Sequence, residues 1–462
     1  MAGAAYMKGT LRPGSQRGIF ASLRGSIASA PTWAGFVKTM PGSAIAMFLA
    51  CAATAGMAAS AWPPVMDSHR VDTYRHGARK EWGYTPKAAS SVFYVIRPEQ
   101  EQKHAPLYVV LHSAGHSAWD AVQVSLGRPA PWVGSGNDHA VYRTPPCFYG
   151  LYLSDDKAKT WWGRGSNWTW SQKDMEKYTA EDSPVEKRML DTIAWVIEKY
   201  SIDPDRVYLA GCSMGGSGAL GLGMCHGDVF AAVQAWVPAG AAHVARRMFF
   251  GKDVPAGVSI PDPPVVVSVS AQNDKWSKGQ ELLIEGAAAR KYALVMGWAP
   301  FGHRGDTKLY ARECGPVMAF PWREMRRNEA YPVFTGATSN QAPPWPDSKS
   351  GDPKGQINAF FRWKNVEDTP AAFSMDIWLD PPGAGKERAF SESVADVTFR
   401  RLQQFKVPHG SPCRWELAHD GAPVASGEIK ADAAGLLTIP KMRIFPVITR
   451  VLLKAVPEKE KP

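Results

Sequence analysis

From Val92 to about Trp298 the chain alternates between short apolar runs and stretches with a helical period. Ser91–Ile96 and Leu107–Leu111 read as strands, the second a continuous apolar run of the kind buried on both faces of a sheet. Asp182 to Tyr200 reads as an amphipathic helix, with Val185, Met189, Ile193, Val196 and Ile197 on one face. Ser183 is placed to cap it, Pro184 suits its first position, and Glu186 completes a capping box. Asp203-Pro204-Asp205 then turns the chain into a strand at Arg206–Ala210. A small-residue helix follows at Gly215–Met224, with further strands at Phe230–Trp236, Val265–Ser270 and Tyr292–Trp298. This alternation predicts an α/β fold, a mostly parallel sheet with helices on both faces.

The pattern changes after Gly336. Gln341–Gly355 is rich in Pro, Ser, Asp and Gly and reads as a linker. Beyond it lie β-rich runs at Ile357–Trp363, Phe373–Leu379, Val394–Phe399, Cys413–Ala418, Leu436–Ile439 and Ile448–Leu453, separated by turn signals such as Asp420-Gly421. Short strands with no helical period between them predict a β-sandwich-like module. The expected organisation is a leader over 1–61, a catalytic domain over 62–335, a linker over 336–356 and a C-terminal β-rich domain over 357–462.

Composition and charge sharpen this picture at the N-terminus. The chain has 462 residues, 45% apolar and 21% charged, which excludes collagen-like, disordered and coiled-coil classes. Lys and Arg exceed Asp and Glu by 53 − 43 = 10. Five of these cations, Lys8, Arg12, Arg17, Arg24 and Lys38, fall in the first 61 residues, where no acid is present. The apolar run Ala44–Met57 follows, then Ala59-Ser60-Ala61, so the segment reads as a signal peptide cleaved after Ala61. The expected location is therefore extracytoplasmic, secreted or periplasmic, with no membrane span after cleavage. The dilute remaining charge gives no reason to expect a nucleic-acid partner.

The chemistry centres on Gly211-Cys212-Ser213-Met214-Gly215, a G-x-S-x-G string between a predicted strand and a predicted helix. A nucleophilic serine at this junction needs a sharp turn to lift it from the sheet. Glycines on either side remove side chains that would crowd it, and the helix N-terminus adds partial positive charge where an oxyanion forms.

With this motif the chain resembles the serine esterases of the α/β-hydrolase superfamily over about Ser91–Tyr310. It is most similar to the branch holding polyhydroxybutyrate depolymerases, feruloyl esterases and secreted carbohydrate esterases. The resemblance implies the chain order serine, acid, histidine. Asp274, leaving the strand Pro264–Ser270, is the implied acid, with Asp262 and Asp306 as competitors. His303, directly after the last sheet strand and downstream of the acid, is the implied base, whereas His112, His116, His139, His226 and His243 lie upstream of the acid. The implied oxyanion donors are the backbone N–H groups of Ala114 and Met214. Ser113 stands where many relatives carry glycine. Reading His112 and His116 as a metal pair would require a helix and further ligands, so no metal and no cofactor are expected.

Trp161, Trp162, Trp168 and Trp170 crowd one Gly-rich insertion, and they read either as a cleft wall stacking on sugar or phenolic rings or as a subsidiary core. Asn167-Trp168-Thr169 is a glycosylation sequon. Beyond the leader lie Cys147, Cys212, Cys225, Cys314 and Cys413, an odd number without C-x-x-C spacing. Some relatives with a cysteine before the nucleophile pair it with one beside the catalytic histidine; here Gly302 and Arg304 flank His303, so Cys212 reads either as paired with Cys314 or as a buried free thiol. The expected activity is hydrolysis of carbohydrate or plant phenolic esters, the substrate being polysaccharide-linked or polymeric. Polyester depolymerase, prolyl-oligopeptidase-like peptidase and non-catalytic glycan binder are the alternatives.

Overall fold

The computed structural model describes residues 70–83, 91–128, 139–155, 160–163, 181–349, 351–380 and 391–456. The expected leader, Trp168, Trp170 and the sequon at Asn167 lie outside the described residues.

Eight strands of the first part are β1 (Arg70–Arg75), β2 (Val92–Arg97), β3 (Leu107–Leu111), β4 (Tyr149–Tyr152), β5 (Val207–Cys212), β6 (Ala232–Trp236), β7 (Val265–Ala271) and β8 (Leu294–Ala299). They lie in the order β1-β2-β4-β3-β5-β6-β7-β8, and β10 (Gly355–Ile357) closes the far edge against β8. β1, β2 and β10 pair antiparallel, whereas β4, β3, β5, β6, β7 and β8 run parallel. This is the mostly parallel sheet that the strand–helix alternation anticipates, and it agrees with the α/β-hydrolase fold that the resemblance implies.

Side chains alternate across this sheet with a period of two. Tyr108, Val110, Tyr208 and Ala210 enter one apolar layer. Leu107, Val109, Leu111, Val207 and Leu209 enter the other. Both layers are covered, so β3 and β5 are buried at every residue. Helix α1 (Ala118–Ser125) packs on the first face; α2 (Pro184–Tyr200) and α3 (Met214–Cys225) pack on the second. The cap expected for α2 is present in both directions. Ser183 Oγ accepts from the Glu186 N–H, and the Glu186 carboxylate accepts from the Ser183 N–H. Such a cap contributes about 1 kcal/mol. Here it also holds a buried ion pair, because the other oxygen of Glu186 meets Arg247 at the end of α4 (Ala242–Arg247). Helices α5 (Gln280–Ala289) and α6 (Thr307–Glu313) complete the parallel part.

Beyond the parallel sheet, β11 (Phe361–Asp368), β12 (Ala372–Leu379), β17 (Thr449–Ala455), β14 (Pro412–His419) and β15 (Ala422–Lys430) form one antiparallel sheet. β16 (Leu437–Ile444), β13 (Ser393–Arg400) and β9 (Tyr331–Thr335) form a second. A third apolar core, including Phe334, Phe361, Phe373, Phe399 and Leu453, draws on both. Packing does not follow the expected boundaries at 335/336 and 356/357. β9 precedes the expected linker yet pairs with β13, while β10, at the linker's end, joins the parallel sheet. The run Ile357–Trp363 is two strands rather than one, broken at Asn358, whose φ is +58°.

Candidate functional site

Ser213 sits between β5 and α3 at φ +57°, ψ −116°, a sparsely populated region for a side-chain-bearing residue that costs roughly 1–3 kcal/mol. Neighbouring backbone groups hold it there. Its N–H donates to Trp236 O (2.8 Å), and its carbonyl accepts from the amides of Ser217 (2.9 Å) and Ala239 (3.1 Å). The flanking glycines are required by close approach. A Cβ on Gly211 would lie 2.3 Å from the Gly215 carbonyl, and one on Gly215 would lie 1.9 Å from Leu111 O.

The chain order expected from the motif becomes a geometric chain. Ser213 Oγ is 2.7 Å from His303 Nε2, and His303 Nδ1 is 2.5 Å from Asp274 Oδ2. Asp274 leaves β7 and His303 follows β8, adjacent parallel strands whose C-terminal ends lie at one edge of the sheet. The Asp274 side chain is 1% exposed and that of His303 31%, so the carboxylate is buried while the imidazole reaches solvent. Asp274 Oδ1 accepts from the Trp276 N–H at 2.9 Å. The competing carboxylates have other partners: Asp306 caps α6 by accepting from the amides of Lys308 and Leu309, and Asp262 is held by Arg400. Met214 heads α3 with its side chain fully buried, and Ala114 lies exposed just past β3, before Gly115 at φ +80°.

The tryptophans divide. Trp162 is 1% exposed and packs on α3, where a Cβ on Gly218 would come within 2.4 Å of its own Cβ. Its indole N–H donates to His112 O at 3.0 Å, and its amide donates to Asp155 Oδ2 at 3.2 Å. Of the two readings open for this cluster, cleft wall or subsidiary core, Trp162 takes the second, and its place among the candidate substrate-binding residues is corrected: it is a core residue behind the site. Trp161 is half-buried, with its ring 6.0 Å from that of Trp276. Trp276, 36% exposed, has its ring 6.5 Å from the His303 ring. Trp276 belongs to the acid loop and was not singled out from sequence; its place two residues after Asp274 was the available signal.

The five cysteines from Cys147 onward are free thiols. Cys212 and Cys314 are among them, so the pairing suggested by relatives with a cysteine before the nucleophile is not made, and burial pushes both thiols up to about 12. His112 and His116 do not form a metal pair, since His112 Nε2 accepts from the Asp155 N–H and His116 Nδ1 faces Tyr142 OH. No described helix is long and apolar enough to cross a membrane.

Residues 157–309, about a third of the chain, match the family model named Esterase, a range that includes Ser213, Asp274 and His303. No curated protein matches the sequence. Among solved structures, the chain is similar to FphF, a fluorophosphonate-binding serine hydrolase of Staphylococcus aureus, with 12% identity, 55% of this chain and 98% of that one covered, and a TM-score of 0.35. A ferulic acid esterase matches at 13% identity over 55% of this chain and 99% of that one, TM-score 0.36. The feruloyl esterase module from Clostridium thermocellum matches at 14% identity over 56% and 89%, TM-score 0.33. With a family match that runs through the elbow and both loops beyond it, on a sheet of this order, the chain is a serine hydrolase of the α/β-hydrolase fold, an esterase.

Proposed function

We propose that the protein is an exported esterase that cleaves carboxylic esters of carbohydrates or plant phenolic acids through an acyl-enzyme on Ser213. The observation that carries the proposal is the continuous contact Ser213–His303–Asp274 beside two indoles. In this reading His303 Nε2 takes the Ser213 proton as Oγ adds to the ester carbonyl. The imidazolium then gives that proton to the departing alcohol. Asp274 fixes the proton of His303 on Nδ1 and stabilises the imidazolium without taking the proton. Water repeats the sequence to release the acid. The amides of Met214 and Ala114 receive the oxyanion, where one such donor contributes on the order of 10²–10³ in rate.

Trp161 and Trp276 support the substrate class, because two indoles at the mouth offer a stacking wall to a planar or ring-shaped group. The basic, then apolar, then A-x-A leader supports export.

The test is hydrolysis of p-nitrophenyl acetate, methyl ferulate, acetylated xylan and a polyester emulsion by the purified enzyme and by Ser213→Ala. Turnover of ferulate or acetyl-xylan that vanishes in the variant is expected. Clearing of polyester alone would replace the substrate class, and turnover retained by Ser213→Ala would overturn the nucleophile.

A further inference from the structure

Ser113, standing where glycine is common in relatives, is 4% exposed and has each of its polar atoms engaged. Its N–H donates to Tyr142 OH at 2.8 Å. The Tyr142 hydroxyl donates to Ser113 Oγ at 2.8 Å, and Ser113 Oγ donates to the carbonyl of Cys212 at 2.7 Å. Cys212 is the residue before the nucleophile, so this short chain of bonds joins the loop after β3 to the elbow after β5. Tyr142 is itself fully buried.

The carbonyl of Ser113 is held as firmly. It accepts from the His116 N–H at 3.1 Å and from His112 Nδ1 at 2.9 Å. The His112 tautomer follows from its other nitrogen: Nε2 accepts the Asp155 N–H at 3.1 Å, which leaves the proton on Nδ1. His116 Nδ1 lies 3.2 Å from Tyr142 OH, whose own proton is committed to Ser113, so His116 donates. Burial, with His139 and His112 nearby, holds the His116 pKa down to about 3, and the ring stays neutral through the working range.

Peptide planarity turns these bonds into a statement about the oxyanion site. The carbonyl of Ser113 and the N–H of Ala114 belong to one planar trans unit and point in opposite directions. Two donors fixing the carbonyl therefore fix the direction of the Ala114 N–H. We propose that Ser113 and Tyr142 are positioning residues, which lock the Ser113–Ala114 peptide to the nucleophile elbow and so aim the Ala114 amide at the forming oxyanion. This rests on the esterase reading above.

The experiment compares Tyr142→Phe and Ser113→Ala with the unmodified enzyme, using p-nitrophenyl acetate and a trifluoromethyl ketone. Ser213 Oγ adds to the ketone carbon, its proton passes to His303, and the ketone oxygen becomes an oxyanion. That adduct samples the same donors as the transition state. In each variant kcat falls about 10- to 100-fold with KM within about twofold, and the ketone Ki weakens by the same factor as kcat/KM. The double variant loses no more than the worse single one, because the two hydroxyls act as a unit. A simple loss of packing would not move kcat and Ki together at constant KM. Should Tyr142→Phe fail to fold, Ser113→Ala, which deletes one oxygen, decides alone. Unchanged kcat in a folded variant, or a fall in kcat with unchanged Ki, overturns the inference. An unmodified enzyme that hydrolyses no ester would instead sink the esterase reading, and this inference with it.

Discussion

Gly215→Ala tests how tightly the nucleophile helix is set against the rest of the site. The added Cβ would lie 1.9 Å from Leu111 O, 2.6 Å from Leu111 C and 2.9 Å from His112 O. All three are backbone atoms, so no side chain can swing away. Restoring ordinary contact of about 3.4 Å to Leu111 O asks for roughly 1.5 Å of displacement, either of the α3 N-terminus or of the end of β3. The first carries the Met214 amide and the second leads into Ala114, so either movement separates the two proposed oxyanion donors. A misplacement near 1 Å costs on the order of 10²-fold in rate, and overpacking of a full core costs about 1–3 kcal/mol. The expected variant is folded, melts several degrees lower, and turns over p-nitrophenyl acetate at least about 100-fold more slowly. Gly77→Ala, whose Cβ meets nothing within 4 Å, is the control. A Gly215→Ala protein with the parent Tm and kcat would refute the close-approach argument.

Arg247→Met strands Glu186, whose side chain is 1% exposed, and should lower the urea unfolding free energy by about 3–5 kcal/mol; a loss under about 1 kcal/mol would show the pair to be solvated. Trp276→Ala keeps the backbone amide that holds Asp274 and removes one indole of the proposed wall, so kcat/KM for methyl ferulate should fall about tenfold while that for p-nitrophenyl acetate stays within about twofold. Equal losses on both substrates would place Trp276 outside substrate recognition. Iodoacetamide at pH 8 should modify exposed Cys147 first and spare activity, because thiols held near 12 leave only about one thiolate in 10⁴ at Cys212 and Cys314. Rapid alkylation of Cys212, read by mass spectrometry, would contradict its burial.

The parts of the fold legible in the sequence are those in which local pattern and burial agree. β3 is apolar at five successive positions because both of its faces are covered, and α2 announces itself by its cap and its apolar stripe. β15 gave no such signal. It is the outer strand of its sheet, and only Ile429 among its nine residues is buried, so its pattern resembles a loop. In the site, Ser213, Asp274 and His303 were accessible because each follows a strand of a parallel sheet, whose C-terminal ends share one edge. Tyr142 was not, since only packing of the 139–142 turn onto the β3 loop brings its hydroxyl to Ser113. The indole cluster was ambiguous for a related reason. Nothing in the string Trp161-Trp162 says which ring turns inward, and the glycine that admits Trp162, Gly218, lies on a helix more than fifty residues away.

The C-terminal sheets also bear on the site, through the connection that the sequence presents as a linker. Ser348 Oγ donates to Gln272 O at 3.0 Å, and Gln272 Nε2 donates to Pro353 O at 2.7 Å. Gln272 is two residues before Asp274, so this connection grips the acid loop. A few residues later, β10 pairs with β8, the strand that leads to His303, and Trp345 packs on Trp298 of that strand with ring centroids 5.9 Å apart. The sandwich itself is fastened by Arg401, whose guanidinium donates to the carbonyls of Gly227, Phe230 and Asp262 at 2.8, 3.2 and 2.9 Å. Hydrogen bonds from a charged donor contribute about 1.5–3 kcal/mol each, and these three are shared by the two hydrogens of one nitrogen, Nη2. Without this region β8 would become an open edge, and the loops carrying acid and histidine would lose a shared support. A detachable binding module would leave the catalytic sheet closed on its own. Here the sheet is completed by a strand contributed from the connection, and the same connection touches the strand ends from which Asp274 and His303 emerge.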